Sequence, residues 1–359
     1  MELNCLRIAN LRLIERLELD LASGWNFFLG PNGAGKTSLL EAAFLLSHGR
    51  SFRTSSRDAL VRHGSAGYSV FGELLRSRAL VERVGVARNG SRLDARLNGE
   101  ALPVGELLRH TAVVCFEPGS HELICGSSVE RRRFLDWGVF HVEQDFLLQW
   151  RRYQRALKQR NAMLRGIASA SELDVWDREL VLAAEPLTAM RRRYFAALQP
   201  VIVELLLELL GELGEAHLEY QPGFDHQRSL ADVLCERRGR DIARGHTTAG
   251  PHRADWSLAF GATMRREHLS RGQEKLCAFA CIIAQARLFA VHAGEWPILC
   301  LDDLASEVDG EHQRKVLKTL IGSGAQILAT GTEEPKGLAH LDMPITRFHV
   351  EQGRVARLL

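Results

Sequence analysis

Apolar and polar residues alternate along Leu3–Ile8, Ile14–Leu19, Val70–Leu75 and Val81–Ala87. A period of two predicts strands with one buried face at all four places, and Asn98-Gly99 predicts a two-residue hairpin turn. Trp25–Leu29 and Ile298–Leu301 are instead short, continuous apolar runs, the pattern of strands buried on both faces. A further strand is expected at Gln326–Ala329. From about residue 123 to 245 the spacing becomes helical almost throughout, interrupted by Gly166, Pro186 and Pro200. Another long apolar helix is predicted to open after Leu269 and to run to about His292, ended by Gly294 and Pro297. The chain therefore divides into three segments: 1–122 mixed β structure, 123–245 a helical lobe, and 246–359 alternating strands and helices. No internal repeat or low-complexity tract is present.

Composition narrows the class without choosing a function. With 359 residues, 46% hydrophobic and 25% charged, the chain has the makeup of a globular protein large enough for two lobes. No apolar stretch is expected to span a bilayer, since Val201–Leu210 is short and carries Glu204 and Glu208. Met1-Glu2-Leu3-Asn4-Cys5 lacks a basic region followed by an apolar core, so no signal peptide is expected. Seven cysteines without a Cys-x-x-Cys pair imply reduced thiols and a cytoplasmic location, with Cys277 and Cys281 as core residues.

Candidate chemistry begins behind the first buried strand. Gly30-Pro31-Asn32-Gly33-Ala34-Gly35-Lys36-Thr37-Ser38 is a complete phosphate-binding loop, and Leu39, Leu40, Ala43 and Phe44 then open a helix. Its glycines let amides turn inward as an anion nest, and the helix start adds a positive dipole end. Lys36 is expected at the β- and γ-phosphates of ATP, and Thr37 on Mg²⁺.

A second constellation lies 234 positions beyond Lys36. Ser270-Arg271-Gly272-Gln273 opens the long helix, and the strand after it ends in Asp302-Asp303, followed by Ser306-Glu307-Val308-Asp309. Acids at the carboxyl edge of a buried parallel strand stand where doubly wound sheets place ligands. Asp302 is the candidate metal carboxylate and Asp303 the candidate catalytic base for the attacking water. Together with the phosphate loop, this pattern resembles that of ABC-type ATPases. The resemblance implies that the serine, glycine and glutamine of one subunit's signature, here Ser270, Gly272 and Gln273, meet nucleotide held by the other. The fold expected is α/β: an ABC-type P-loop core, a mixed sheet with flanking helices, and an inserted helical second lobe.

Net charge is only +2, so its distribution matters more than its sum. No acid occurs from Phe146 to Ser171, where Arg151, Arg152, Arg155, Lys158, Arg160 and Arg165 all fall. On a helix, Phe146, Trp150, Tyr153, Leu157 and Leu164 form an apolar stripe, with Arg151, Arg155, Lys158 and Arg165 opposite. This face is read as a DNA-backbone surface, against the alternative of a solvated face.

Several further motifs carry a closer resemblance. Asn10-Leu11-Arg12, His48-Gly49-Arg50-Ser51-Phe52-Arg53-Thr54, Glu130-Arg131-Arg132-Arg133-Phe134-Leu135-Asp136 and Gly250-Pro251-His252-Arg253 join the ATPase elements. As a set they resemble the RecF family of bacterial recombination mediators over essentially the whole chain. Two departures stand out: Glu117-Pro118 where the family often has Pro-Glu, and Ala254-Asp255 where two acids are common. The resemblance implies a cytoplasmic protein of DNA replication, repair, homologous recombination and the SOS response. It implies an ATP-dependent homodimer that binds double-stranded and gapped DNA, with RecR, RecO and RecA as partners, and no membrane. ATP hydrolysis is expected to be weak, DNA-dependent and switch-like, and Arg12 is carried over to the nucleotide. His252 and Arg253 remain open among nucleotide, DNA and core, and Arg131–Arg133 between DNA and a solvated face. The rival readings are a transporter-type nucleotide-binding subunit and a short SMC- or Rad50-like ATPase. A transporter subunit would normally carry a glutamate at position 303 and a histidine after the next strand, where this chain has Thr330 or Thr332.

Overall fold

The computed structural model describes residues 1–358 apart from 78–79, 167–169, 226, 262–263, 309, 336–337 and 339–343, so Asp309 lies outside the described residues. The chain divides into two compact units. Met1–His121, Glu208–Leu210 and Ser270–Leu359 form the first; Glu122–Leu207 and Gly211–Leu269 form the second.

The first unit opens with β1 (Glu2–Leu11), β2 (Ile14–Asp20), β3 (Trp25–Leu29), α1 (Lys36–His48), β4 (Gly67–Leu75), β5 (Val81–Asn89), β6 (Arg92–Leu97), β7 (Glu100–Leu102), α2 (Val104–Leu107) and β8 (Val113–Phe116). The chain continues into the second unit as α3 (Glu122–Cys125), α4 (Ser128–Val142), α5 (Phe146–Arg165), α6 (Ala170–Leu210), β9 (Ala216–Gln221), α7 (Leu230–Arg244), β10 (Asp255–Phe260) and β11 (Met264–Arg265). It closes the first unit with α8 (Arg271–Ala293), β12 (Ile298–Leu301), α9 (Leu304–Glu307), α10 (Gly310–Ile321), β13 (Ile327–Gly331), β14 (Ile345–Glu351) and β15 (Arg354–Arg357).

The alternating runs build one sheet of the first unit, antiparallel throughout in the order β2-β1-β4-β5-β6-β7. Asn98 and Gly99 join β6 to β7 with φ of 52° and 91°, the left-handed pair that a tight hairpin requires. The continuous apolar runs build the other sheet, β15-β14-β3-β13-β12-β8. Its strands are parallel from β14 to β8, so β3 is central and Trp25, Phe27 and Phe28 are buried.

Two sequence expectations need correction here. The third segment does not begin near residue 246, because β10 pairs antiparallel with β9 from Ala216↔Phe260 to Gln221↔Asp255. Residues 246–269 therefore belong with the second unit, which is not purely helical, and the division falls at Leu269 and Ser270. Local periodicity does not report a strand whose partner lies some forty residues away. Secondly, Ser171–Leu213 and Arg271–Ala293 are long and apolar enough to cross a membrane by length and composition. In α8 that apolarity faces the interior: 67% of its most apolar window is buried. Cys277 and Cys281 lie there, and burial pushes the Cys281 thiol up to about 12, as fits an inert core residue. In α6, Leu198, Ile202, Leu205, Leu206 and Leu209 are likewise buried.

Arginine–carboxylate pairs hold the second unit together. Arg131 is buried and forks onto Asp255 at 2.6 and 3.0 Å, while Arg191 forks onto Asp136 at 2.7 and 2.8 Å. Arg160 is fully buried against Asp177 and Asp241. Such charges are tolerated in a dry interior only because every one is paired. His252 is half-buried. Its Nε2 donates to the Thr247 carbonyl at 3.0 Å, and its Nδ1 accepts from the Tyr153 hydroxyl at 2.6 Å. Burial pushes its pKa down from 6.5 to about 4.

A depressed histidine pKa means that the folded state refuses a proton the unfolded chain accepts. The stability this contributes is complete above pH 6.5 and is lost as pH falls toward 4. At pH 5 the loss is about 2 kcal/mol. His252→Gln keeps one donor and one acceptor, so it should reduce the drop in thermal midpoint between pH 7 and pH 5. An unchanged drop would remove His252 from the acid response.

Candidate ATP site

Parallel register gathers the candidate residues at one sheet edge. Leu29, the last residue of β3, is level with Gly331 of β13, and Leu301 of β12 with Ala329 of β13 and Phe116 of β8. The phosphate loop, Asp302-Asp303, Thr330 and the Glu117-Pro118 turn therefore emerge side by side. A Cβ on Gly30 would lie 2.2 Å from the Val350 carbonyl oxygen of β14, so only glycine fits. Gly35 precedes α1 at φ 106°. The β14–β15 turn also braces the loop, with the Gly353 amide donating to the Ala34 carbonyl at 2.8 Å.

Inside the loop, the Lys36 ammonium donates to the Gly30 and Pro31 carbonyls at 2.7 and 3.0 Å. Burial lowers its pKa, and the fields of Asp303 and Asp302 oppose that shift. Thr37 Oγ1 donates to Asp302 Oδ1 at 2.9 Å, and Thr330 Oγ1 donates to the same oxygen at 2.7 Å. Asp302 is buried, and desolvation raises its pKa against those two hydrogen bonds and the nearby positive charge of Arg53. Asp303 adopts left-handed backbone at φ 55°, with its amide donating to Thr330 Oγ1 at 3.0 Å. Its Oδ1 is buried without a hydrogen-bond partner. A strained backbone that holds a carboxylate oxygen with no protein partner is suited to a ligand-binding role.

These features fit Mg²⁺ and a nucleoside triphosphate. A buried hydroxyl–carboxylate pair is a hard-cation donor set, and a lysine held on its own loop's carbonyls has charge to give to phosphate. Asn32 and Gly33 are exposed at the loop tip. Ser38 is buried in α1, its amide donating to the Gly35 carbonyl at 3.1 Å.

The Arg12 guanidinium forks onto Glu41 at 3.0 and 2.8 Å and donates to the Ala59 carbonyl at 2.7 Å, which braces α1 behind the phosphate loop. Glu41 is fully buried one turn after Thr37 and also accepts from Ser51 Oγ. Sequence reasoning passed over Glu41 and Arg53, although Ser51 and Arg53 stand in the motif after α1. Thr330, and not Thr332, is the hydroxyl that reaches the acids.

Ser270 caps α8. Its hydroxyl accepts from the Gln273 amide at 3.3 Å and the Gln273 side chain accepts from the Ser270 amide at 2.9 Å. Ser270, Arg271 and Gly272 are exposed. The 23 residues of α8 span about 34 Å, against about 13 Å for the four of β12 that follow it after a short turn. The capped end is exposed. Arg271 donates to His121 Nε2 at 3.0 Å, and Lys275 pairs with Glu307 at 2.7 Å, tying the signature helix to the β8 turn and to α9. In the Glu117-Pro118 turn, the Glu117 carboxylate accepts from the Gly119 amide at 2.6 Å.

On α5 of the second unit, Phe146, Tyr153 and Leu164 are buried while Arg151, Arg155, Lys158 and Arg165 are exposed. Two of the six cations are neutralised: Arg152 by Glu179 at 2.6 Å, Arg160 by Asp177 and Asp241. Among the described residues the exposed four make no ion pair. Of Arg131–Arg133, Arg131 is internal, Arg132 donates to the Ala254 carbonyl and Arg133 pairs with Glu130.

Comparison with known proteins places this geometry. The family described as RecF/RecN/SMC N terminal domain matches residues 2–355. The DNA replication and repair protein RecF of Stenotrophomonas maltophilia (strain R551-3) is 48% identical over 361 residues, covering 99% of each chain. Among solved structures, the recombination mediator protein RecF-ATPrS in the RecFOR pathway superposes with a TM-score of 0.89 at 25% identity, covering 100% of this chain and 98% of that one. An SMC head bound to the C-terminal winged-helix domain of ScpA shares the fold, with a TM-score of 0.62 at 16% identity and coverage of 100% and 98%.

Proposed function

Because the chain belongs to the RecF family of DNA replication and repair proteins, we infer that its ATPase core works as a switch on DNA. ATP joins two copies, and the dimer binds double-stranded DNA beside single-strand gaps, where it supports RecA loading with RecO and RecR. One observation carries this reading: Asp302 Oδ1 accepts from both Thr37 and Thr330, joining the phosphate loop and the acidic strand in one buried site.

Bound Mg²⁺–ATP would supply the phosphoanhydride and the cation. Lys36 would hold the β- and γ-phosphates, and Thr37 and Asp302 would hold the metal. Asp303, with an unpaired oxygen, would orient the attacking water and accept its proton. Ser270, with Gly272 and Gln273, would close on the γ-phosphate of the partner copy. A transporter subunit shares these ATPase elements, but the near-complete match to RecF relatives favours the DNA reading.

The exposed cations of α5 are proposed to follow the DNA backbone. Replacing Arg151, Arg155 and Lys158 together with glutamine keeps helix propensity and should spare folding. Each lost phosphate contact should lower the log–log salt slope on duplex DNA by about 0.9, so the triple variant should bind more weakly with a shallower slope. ATP binding should be unchanged, and so should sequence preference, because phosphate contacts carry no base information. Wild-type affinity and slope in the variant would make this face solvated surface only.

A further inference from the structure

The Gly250-Pro251-His252-Arg253 motif lies in the second unit. Its histidine faces inward to Tyr153 and Thr247, which leaves Arg253 at the surface. The turn that displays Arg253 is held by hydrogen bonds at several points. Arg191 donates to the Pro251 carbonyl and Arg132 to the Ala254 carbonyl, each at 2.7 Å, and the Gly250 amide donates to the Gly223 carbonyl at 3.1 Å. A Cβ on Gly223 would lie 2.3 Å from the Gly250 oxygen and 2.6 Å from the Ala254 nitrogen, so the turn after β9 is pressed directly onto this one.

Beside the two turns lies an open cleft of about 450 Å³. Arg192 of α6, Arg237 of α7 and Arg253 reach it from three separate elements, and Glu219 and Asp225 line it as well. Among the described residues none of the three arginines is ion-paired. Arg237 makes one long hydrogen bond, 3.4 Å, to the Thr248 carbonyl. Positive charge is concentrated here: the Arg253 field, after burial, helps to lower the pKa of both Arg132 and His252.

We propose that this cleft grips one backbone phosphate of the DNA through Arg192, Arg237 and Arg253, an inference that rests on the DNA-binding function above. Convergent guanidinium forks suit a phosphate, whose several charged oxygens accept donors from more than one side. A lone carboxylate is saturated by a single fork. Three arginines against two acids leave a small positive excess, enough for one anionic group and unfavourable to a run of acidic residues.

The test uses the full-length protein with saturating ATP, duplex DNA across a range of salt, and a fluorescein-labelled octaglutamate peptide. Arg253→Gln and Arg192→Gln should each weaken duplex binding, and the double variant should lower the log–log salt slope by about 0.9, the value for one phosphate. ATP affinity and thermal midpoint should stay at wild-type values, because both side chains are exposed. Arg253→Lys should keep the slope while weakening binding, since an ammonium retains the charge without the fork. If wild type binds duplex DNA and the double variant keeps its affinity and slope, the cleft is not a DNA contact. Peptide binding that is lost in the double variant while DNA binding is unchanged overturns the proposal in favour of an acidic protein partner. Wild type that binds no duplex DNA overturns the function itself, and the cleft assignment with it.

Discussion

Lys36→Ala is expected to lower the affinity of the monomer for ATP by about a hundredfold or more, whereas Ser270→Ala should leave it within about twofold. The first removes the buried charge that faces the phosphates, a loss on the scale of breaking an internal charge pair. The second removes a hydroxyl at the exposed start of α8, whose only hydrogen bond among the described residues is to its own helix. ATP-dependent dimerisation should disappear in both. Ser270 also caps its helix, and losing the cap costs about 1 kcal/mol, so a misfolded signature could imitate loss of the dimer. Ser270→Asp separates the two effects, because aspartate is as good a cap but repels the partner's γ-phosphate. It should fold normally, bind ATP as a monomer and fail to dimerise. Equal loss of monomer affinity in the Lys36 and Ser270 variants would place both residues on one nucleotide in the same subunit.

Asp303→Asn should bind ATP and dimerise yet turn over about 10²- to 10⁴-fold more slowly, the usual range for removal of a positioned base. Asparagine is isosteric and among the few residues that tolerate the left-handed backbone found here, so the fold should be preserved. The dimer should then persist after ATP is added, where wild type returns to monomer. Asp302→Asn should behave differently: it keeps acceptors for Thr37 and Thr330 but removes the charge that holds Mg²⁺, so metal-dependent nucleotide binding should fall. Turnover at the parental rate in Asp303→Asn would move the catalytic role to another group.

The parts of the site written in contiguous residues were legible in the sequence. The phosphate loop sits between an apolar strand and a periodic helix, and the acids directly follow Ile298–Leu301, so local spacing placed Lys36, Thr37, Asp302 and Asp303 on one edge. What was hidden depends on partners distant in the chain. Arg12 matched a family motif, but nothing local showed that its fork would close on Glu41, 29 residues later. The acid-free window Phe146–Ser171 suggested six available cations, yet Arg160 meets Asp241, 81 residues away, and Arg152 meets Glu179. Charge counted along a sequence window overestimates free charge wherever another helix supplies the counterions. The same limit hid the β9–β10 pair and with it the true boundary at Ser270.

The central claim is that ATP joins two copies and that the joined form holds duplex DNA. Light scattering of Asp303→Asn with gapped, duplex or single-stranded DNA, each with and without ATP, tests it most directly. The account predicts monomers without ATP, dimers with it, and tight complexes only when ATP is combined with gapped or duplex DNA. A protein that stays monomeric while saturated with ATP, or that binds duplex DNA equally well without nucleotide, would contradict it.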